Sequence, residues 1–96
     1  KKYREGIKNI ENQKEIDQKL NHNKLIAKYN LANSLYKQDS SQNSLDYYND
    51  VINSKTNDSL KFKSYHNLGN SYLKNKKYKE SIDAYISALK INDTDK

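Results

Sequence analysis

Residues Leu25 to Thr56 overlay Phe62 to Asp93 at an offset of 37 with no gap, and this self-similarity limits the fold more than any other feature of the chain. Eight of the 32 paired positions are identical: Asn30/Asn67, Leu31/Leu68, Asn33/Asn70, Ser34/Ser71, Lys37/Lys74, Ser44/Ser81, Asp46/Asp83 and Tyr48/Tyr85. Conservative pairs such as Ala32/Gly69, Leu45/Ile82, Val51/Ala88 and Ile52/Leu89 join them. A period in this range marks a supersecondary unit that cannot bury its apolar face alone and stacks on neighbouring copies instead.

The unit is helical. Proline is absent and glycine occurs only at Gly6 and Gly69, so neither breaker interrupts most of the length. Apolar residues recur three and four apart, at Tyr65, Leu68, Tyr72 and Leu73 and again at Ile82, Tyr85, Ile86 and Leu89, and no stretch sustains a period of two. The expected fold class is therefore all-α, with antiparallel helix-turn-helix pairs over residues 24–38 and 42–53 and over residues 59–75 and 78–90. The two repeats then occupy residues 24–58 and 59–96. Asp58 stands where it would cap the third of these helices, and Asn75, Lys76 and Lys77 break the pattern before Tyr78 resumes it. In residues 1–23, Tyr3, Ile7 and Ile10 are helically spaced and Ile16 and Leu20 sit four apart, but the run between is almost wholly polar. That pattern is read as two short N-terminal helices forming a degenerate first repeat, with one long helix as the alternative.

The interior must be thin. Leu, Ile, Val and Phe supply 19 of 96 residues, near the level of about 20 % at which a charged chain stays disordered, and nine tyrosines lift it above that line. Each buried tyrosine hydroxyl needs a partner or a path to water, which favours a narrow core close to solvent. Cysteine is absent, so disulfides, thiolate metal sites and thiol nucleophiles are removed together, with no indication of compartment. His22 and His66 stand 44 residues apart, and neither has a second imidazole at helical spacing. Neither glycine belongs to a phosphate-cradling cluster. With no nucleophile set beside a base, the chain reads as non-catalytic, with no metal and no cofactor expected.

The formal charge of +6 accompanies 14 asparagines, a bias that an AT-rich coding sequence also produces, so it is weak support for a polyanion partner. Lys74, Lys76, Lys77 and Lys79 interleave with Tyr72 and Tyr78 as single-strand binders combine charge with stacking. The run falls in the turn of one repeat, and both tyrosines occupy expected core positions, which makes nucleic-acid binding the weakest of the functional readings. No apolar run approaches the roughly 18 residues of a membrane span. The chain opens without Met or a signal-peptide pattern and reads as a segment of a longer protein.

In the second copy Gly69 and Ser81 are the expected small residues between facing helices, with Tyr65, Leu68, Tyr72, Ile82, Tyr85 and Leu89 as bulk around them; Ala32 and Ser44 take the small-residue role in the first copy. The order Tyr65, Leu68, Gly69, Tyr72, Ser81, Tyr85, Ala88 resembles the tetratricopeptide repeat. The earlier copy departs from that pattern, with Lys28 for an aromatic, Leu35 for Tyr, Val51 for Ala and three extra residues between units, and Thr56 and Asp93 replace the usual proline. The resemblance implies a short right-handed superhelix of stacked pairs whose first helices line a concave, peptide-binding surface. Aligned with it, the inward positions are Ile26, Tyr29, Asn33 and Tyr36 in one copy and Lys63, His66, Asn70 and Leu73 in the next, with Asn30 and Asn67 at the edge.

The candidate groove residues are accordingly Tyr29, Asn33, Tyr36, Lys63, His66, Asn67 and Asn70. An asparagine amide both donates to and accepts from the backbone of an extended peptide. Asn33 and Asn67 fall where members that clamp a C-terminal carboxylate carry asparagines, but Tyr29 replaces the clamp's lysine, which turns the implication toward a generic peptide groove. The competing account makes Asn33 and Asn70 solvated polar residues of an Asn-rich chain. A narrower likeness also exists: Tyr3-Arg4-Glu5-Gly6, the stretches from Tyr29 to Gln38 and from Tyr65 to Tyr72, and Lys79 to Tyr85 resemble the tetratricopeptide proteins encoded with the aerotolerance operon of Bacteroidetes. That likeness implies a periplasmic or membrane-associated scaffold whose partners bear von Willebrand A-type domains.

The function expected is a non-catalytic protein-interaction scaffold, with an architectural spacer in a longer solenoid as the alternative. Near the C-terminus the last helix carries Tyr85, Ala88, Leu89 and Ile91, and Asp93 or Thr94 resembles the cap of a further helix. Apolar surface there should seek cover, by self-association through this helix or by a following repeat, and should leave the segment marginally stable alone.

Overall fold

The computed structural model describes residues 2–94, and the side chains of residues 9–91. The described residues form four helices and no strand: α1 over Lys2–Lys37, α2 over Ser41–Asn53, α3 over Asp58–Lys74 and α4 over Tyr78–Thr94. Consecutive helices pack as antiparallel neighbours joined by short turns, α1 with α2, α2 with α3 and α3 with α4, while α1 meets α3 along only a narrow strip. Two helix-turn-helix units are thereby stacked side by side.

The 37-residue offset holds in the turns themselves. Asp39 and Lys76, 37 residues apart, take left-handed backbone conformations with φ of 64° and 62°. Behind each, the same hydrogen bond seals the helix end, Ser40 N–H to Leu35 O at 2.8 Å and Lys77 N–H to Tyr72 O at 2.8 Å, the six-to-one closure that a left-handed residue makes available. The start of α3 differs from expectation by one residue. Asn57, not Asp58, is the cap, its Oδ1 accepting from Leu60 N–H at 2.8 Å. Asp58 becomes the first helical residue, where a carboxylate faces the positive end of the helix dipole.

Residues 1–23 do not make the pair of short helices. From Lys2 the chain runs unbroken into the repeat as part of the 36-residue α1, because no proline or turn pair supplies a stop before Lys37. At 1.5 Å per residue such a helix spans about 54 Å, and it sets the longest molecular dimension of 62 Å. Among the described residues no helix packs against its forward part, and Ile10, Ile16 and Leu20 are exposed; the side chains of Tyr3 and Ile7 lie outside the described residues. At the other end α4 continues through Thr94, so Asp93 and Thr94 belong to it and do not open a further helix.

The core is as narrow as the composition demands. One cluster joins Ala32, Leu45, Tyr48, Ile52, Leu68 and Ala84, with Tyr29, Tyr47, Tyr65 and Tyr72 packed around it; a second joins Leu25, Val51 and Leu60. Ile82 and Leu89, expected as bulk within the second pair, lie outside it at 57 % and 59 % exposure. Tyr78 is also exposed. The stripe they share with Ile86 runs along the side of α4 away from α3, and among the described residues no helix covers that side.

Close approach between helices is arranged by small residues, with two changes from the expected roles. Gly69 makes room for a ring: a Cβ placed there would lie 2.5 Å from the Tyr85 ring. Ser81 serves the same contact by donating to Gly69 O at 2.8 Å. Ser44 works between the units, with its Oγ 2.8 Å from Ser71 Oγ and donating to Ser41 O at 2.6 Å. Both Ser44 and Ser71 are fully buried.

Candidate functional site

The site is built where α1 and α3 lie beside each other. Asn33, Tyr36 and Lys37 of α1, Asn67 and Asn70 of α3 and Tyr48 of α2 line one cleft of about 300 Å³. Helical spacing puts each set on one face: Asn33, Tyr36 and Lys37 fall at i, i+3 and i+4, as do Asn67 and Asn70 at i and i+3. A second cleft of about 310 Å³ continues toward the start of α3, with Ile26, Tyr29 and Asn30 on one wall and Leu60 and Lys63 on the other.

A hydrogen-bonded network holds the first cleft in shape. The Tyr48 hydroxyl donates to Asn33 Oδ1. Asn67 Nδ2 donates to the same Oδ1 at 3.1 Å and to the Tyr29 hydroxyl at 2.8 Å. Tyr29 and Tyr48 meet edge to face, with ring centroids 6.0 Å apart. Burial pushes the Tyr48 hydroxyl well above its ordinary range, and the neighbouring Tyr29 and Tyr36 hydroxyls add to that. Tyr48 therefore stays a neutral donor. Because both donors converge on Asn33 Oδ1, the orientation of that amide is set, and its Nδ2 donors have no partner among the described residues. The Oδ1 of Asn67 is likewise unengaged.

Lys74 stands against Tyr36, one of the cleft residues. Its Nζ donates to Tyr36 O at 2.9 Å, sits 4.6 Å from the Tyr36 ring centre and pairs with Asp39 at 3.1 Å. The ammonium therefore fixes Tyr36 from above by charge–ring attraction. Of the basic run Lys74, Lys76, Lys77 and Lys79, Lys74 thus has its charge engaged within the fold.

Of the candidate residues, Asn33, Tyr36, Asn67 and Asn70 come together in the first cleft, and Tyr29 and Lys63 in the second. Tyr29 joins the two through its bond to Asn67. His66 lines neither cleft. It turns toward α4, stacked on Phe62 at 6.4 Å and tilted against Tyr85 at 5.7 Å. Sequence reasoning missed Tyr48 and Tyr85 as polar anchors. Tyr85 donates to Asn70 Oδ1 as Tyr48 does to Asn33, and the signal for it was present, since Asn33/Asn70 and Tyr48/Tyr85 are both identical pairs at the 37-residue offset. Among the described residues no group of three His, Asp or Glu side chains could hold a metal ion, and no helix is long and apolar enough to cross a membrane.

Residues 62–95 match the tetratricopeptide repeat family. No curated protein matches the chain. Repeats of this family generally mediate protein–protein interaction and are typically non-catalytic.

Proposed function

We propose that the α1–α3 face is a groove for an extended segment of a partner protein. The observation that carries this reading is the oriented but unspent amide of Asn33 at the cleft wall, where two donors converge on its Oδ1; at Asn70 one donor, Tyr85, engages the Oδ1. An extended peptide offers one carbonyl and one N–H per residue, so preset amide donors and the Asn67 acceptor engage its backbone without demanding a particular side chain. Because the network holds those amides before binding, little ordering entropy opposes the contact. Lys37 and Lys63 at the rims favour a segment that is neutral or acidic. The likeness to the aerotolerance-operon proteins adds proteins with von Willebrand A-type domains, in a periplasmic or membrane-associated setting, as partners to screen.

An architectural spacer is the second reading, and the Tyr–Asn bonds favour it, since they give Asn33 and Asn70 a structural task of their own. Selection from a displayed library of random linear peptides separates the two. The groove reading expects selected peptides whose binding falls roughly ten-fold or more in Asn67→Ala and Lys37→Glu but is unchanged in Asp83→Lys on α4. No selected peptide, or binding indifferent to the two cleft variants, leaves the spacer.

A further inference from the structure

The 37-residue offset relates the outer surfaces of the first and last helices as well as the interior. In the α2–α3 contact α3 presents Ser64, Asn67, Leu68 and Ser71, all buried or half-buried. Their counterparts on α1 are Ala27, Asn30, Leu31 and Ser34, all exposed; Leu31 is 44 % exposed where Leu68 is 4 %. The receiving side shows the same relation. Leu45 and Ile52 of α2 are 5 % and 9 % exposed, and their counterparts Ile82 and Leu89 on α4 are at 57 % and 59 %.

Half of the eight identities, Asn30/Asn67, Leu31/Leu68, Ser34/Ser71 and Lys37/Lys74, fall on this presenting face. Three further identities, Asn33/Asn70, Ser44/Ser81 and Tyr48/Tyr85, fall on the receiving side. Among the described residues one copy of this interface is closed, between α2 and α3, and its two halves recur uncovered on α1 and α4.

We propose that the outer face of α1 and the outer face of α4 are complementary, and that copies of this chain associate head to tail in the register of the internal α2–α3 contact. The occupant of the bare α4 stripe is the α1 helix of a second copy. Leu31 then covers Ile82 and Leu89 as Leu68 covers Leu45 and Ile52, and Asn30 reaches Asn70 and His66 as Asn67 reaches Asn33 and Tyr29. Such a contact joins two different patches, so each added copy leaves both patches available again and the assembly grows without a fixed size unless the rotation closes it. The α1–α3 cleft would be reproduced at every junction.

One pair in the register opposes association. Lys74 meets Asp39 inside the chain, but the same positions across the junction bring Lys37 to Lys76. Two ammoniums there, added to a net charge of +6 on each copy, make the assembly weak at low ionic strength and stronger as salt screens the repulsion.

Sedimentation velocity of the full chain over a wide concentration range tests the proposal. The expected result is a weight-average mass that keeps rising with concentration, rises further with salt, and shifts to roughly two- to five-fold tighter association in Lys76→Asp, which restores an exposed acid–base pair. Leu89→Lys on α4 and Ser34→Arg on α1 each hold the chain monomeric, with circular dichroism and melting unchanged because both positions are exposed. Mixing the two variants restores dimers and nothing larger, since only one intact junction can form. A monomer at every concentration overturns the proposal. So does a fixed dimer abolished by Leu89→Lys but indifferent to Ser34→Arg, which would mean α4 against α4, or a mixture of the two variants that stays monomeric.

Discussion

The two helix pairs have nearly the same apolar pattern and opposite fates on one side. Leu45 and Ile82 occupy one position of the repeat, yet the first is core and the second is surface, and Ile52 and Leu89 divide in the same way. Tyr48 is buried and Tyr85 half-buried, although each donates to the asparagine 15 residues before it. The pairs differ in whether a further helix lies against the second one: α3 covers α2, and among the described residues no further helix covers the side of α4 away from α3. Core membership in a stacked repeat is thus conferred by the neighbour, not by the residue.

The largest effect that should separate the pairs is truncation at this shared position. Leu45→Ala removes a buried side chain between Ala32, Tyr48 and Leu68 and is expected to cost about 2–5 kcal/mol, whereas Ile82→Ala should stay within about 0.5 kcal/mol. Urea unfolding of both at a concentration where the chain is monomeric measures the difference, and equal losses would break the comparison. Next comes Gly69→Leu, which drives a side chain into the Tyr85 ring and should lower stability by about 1–3 kcal/mol through overpacking. A thermal melt equal to that of the parent chain would show that the ring moves aside freely.

Removing the anchoring hydroxyls tests the polar half of the comparison. Tyr48→Phe should cost about 1–1.5 kcal/mol and Tyr85→Phe less, since the second hydroxyl has water as an alternative partner. The raised pKa of Tyr48 supplies a second readout. A phenol held neutral by folding contributes stability that is present below its ordinary value of 10.0 and is lost as pH rises beyond it. The alkaline fall in stability should therefore be shallower in Tyr48→Phe than in the parent, and an equal fall in both would show that this hydroxyl does not carry it. The smallest effect expected is a gain. Ser64 Oγ is buried without a partner, and its counterpart in the first pair is Ala27. Ser64→Ala should raise stability by up to about 1 kcal/mol by removing an unsatisfied hydroxyl, and a loss on calorimetry would mean the hydroxyl is engaged.

Much of the fold was legible in the residues. Helix spacing without proline gave the two pairs, and the break at Asn75 to Lys77 gave a turn. In residues 1–23 the polar run suggests a break between two short helices, but a polar run with no stop signal suits an exposed helix equally, and α1 continues unbroken from Lys2. The cap moved from Asp58 to Asn57 because either side chain could accept the same N–H and only the entry angle of the chain selects between them. In the site, the asparagines were legible as polar groups at inward positions. Their engagement with Tyr48 and Tyr85 was not, since a bond across 15 residues depends on how two helices cross.

The sequence by itself determined that this chain is a repeated helix pair, which residues share a face and which turn positions match, because these follow from periods of 3.6 and 37 residues written along the chain. Only the tertiary structure decided which copy of each matched residue is buried, which amide groups are already spent, and where Lys74 delivers its charge. Periodicity names the face a side chain occupies; burial and hydrogen bonding depend on what stands opposite that face, and that is a property of neighbouring helices in space.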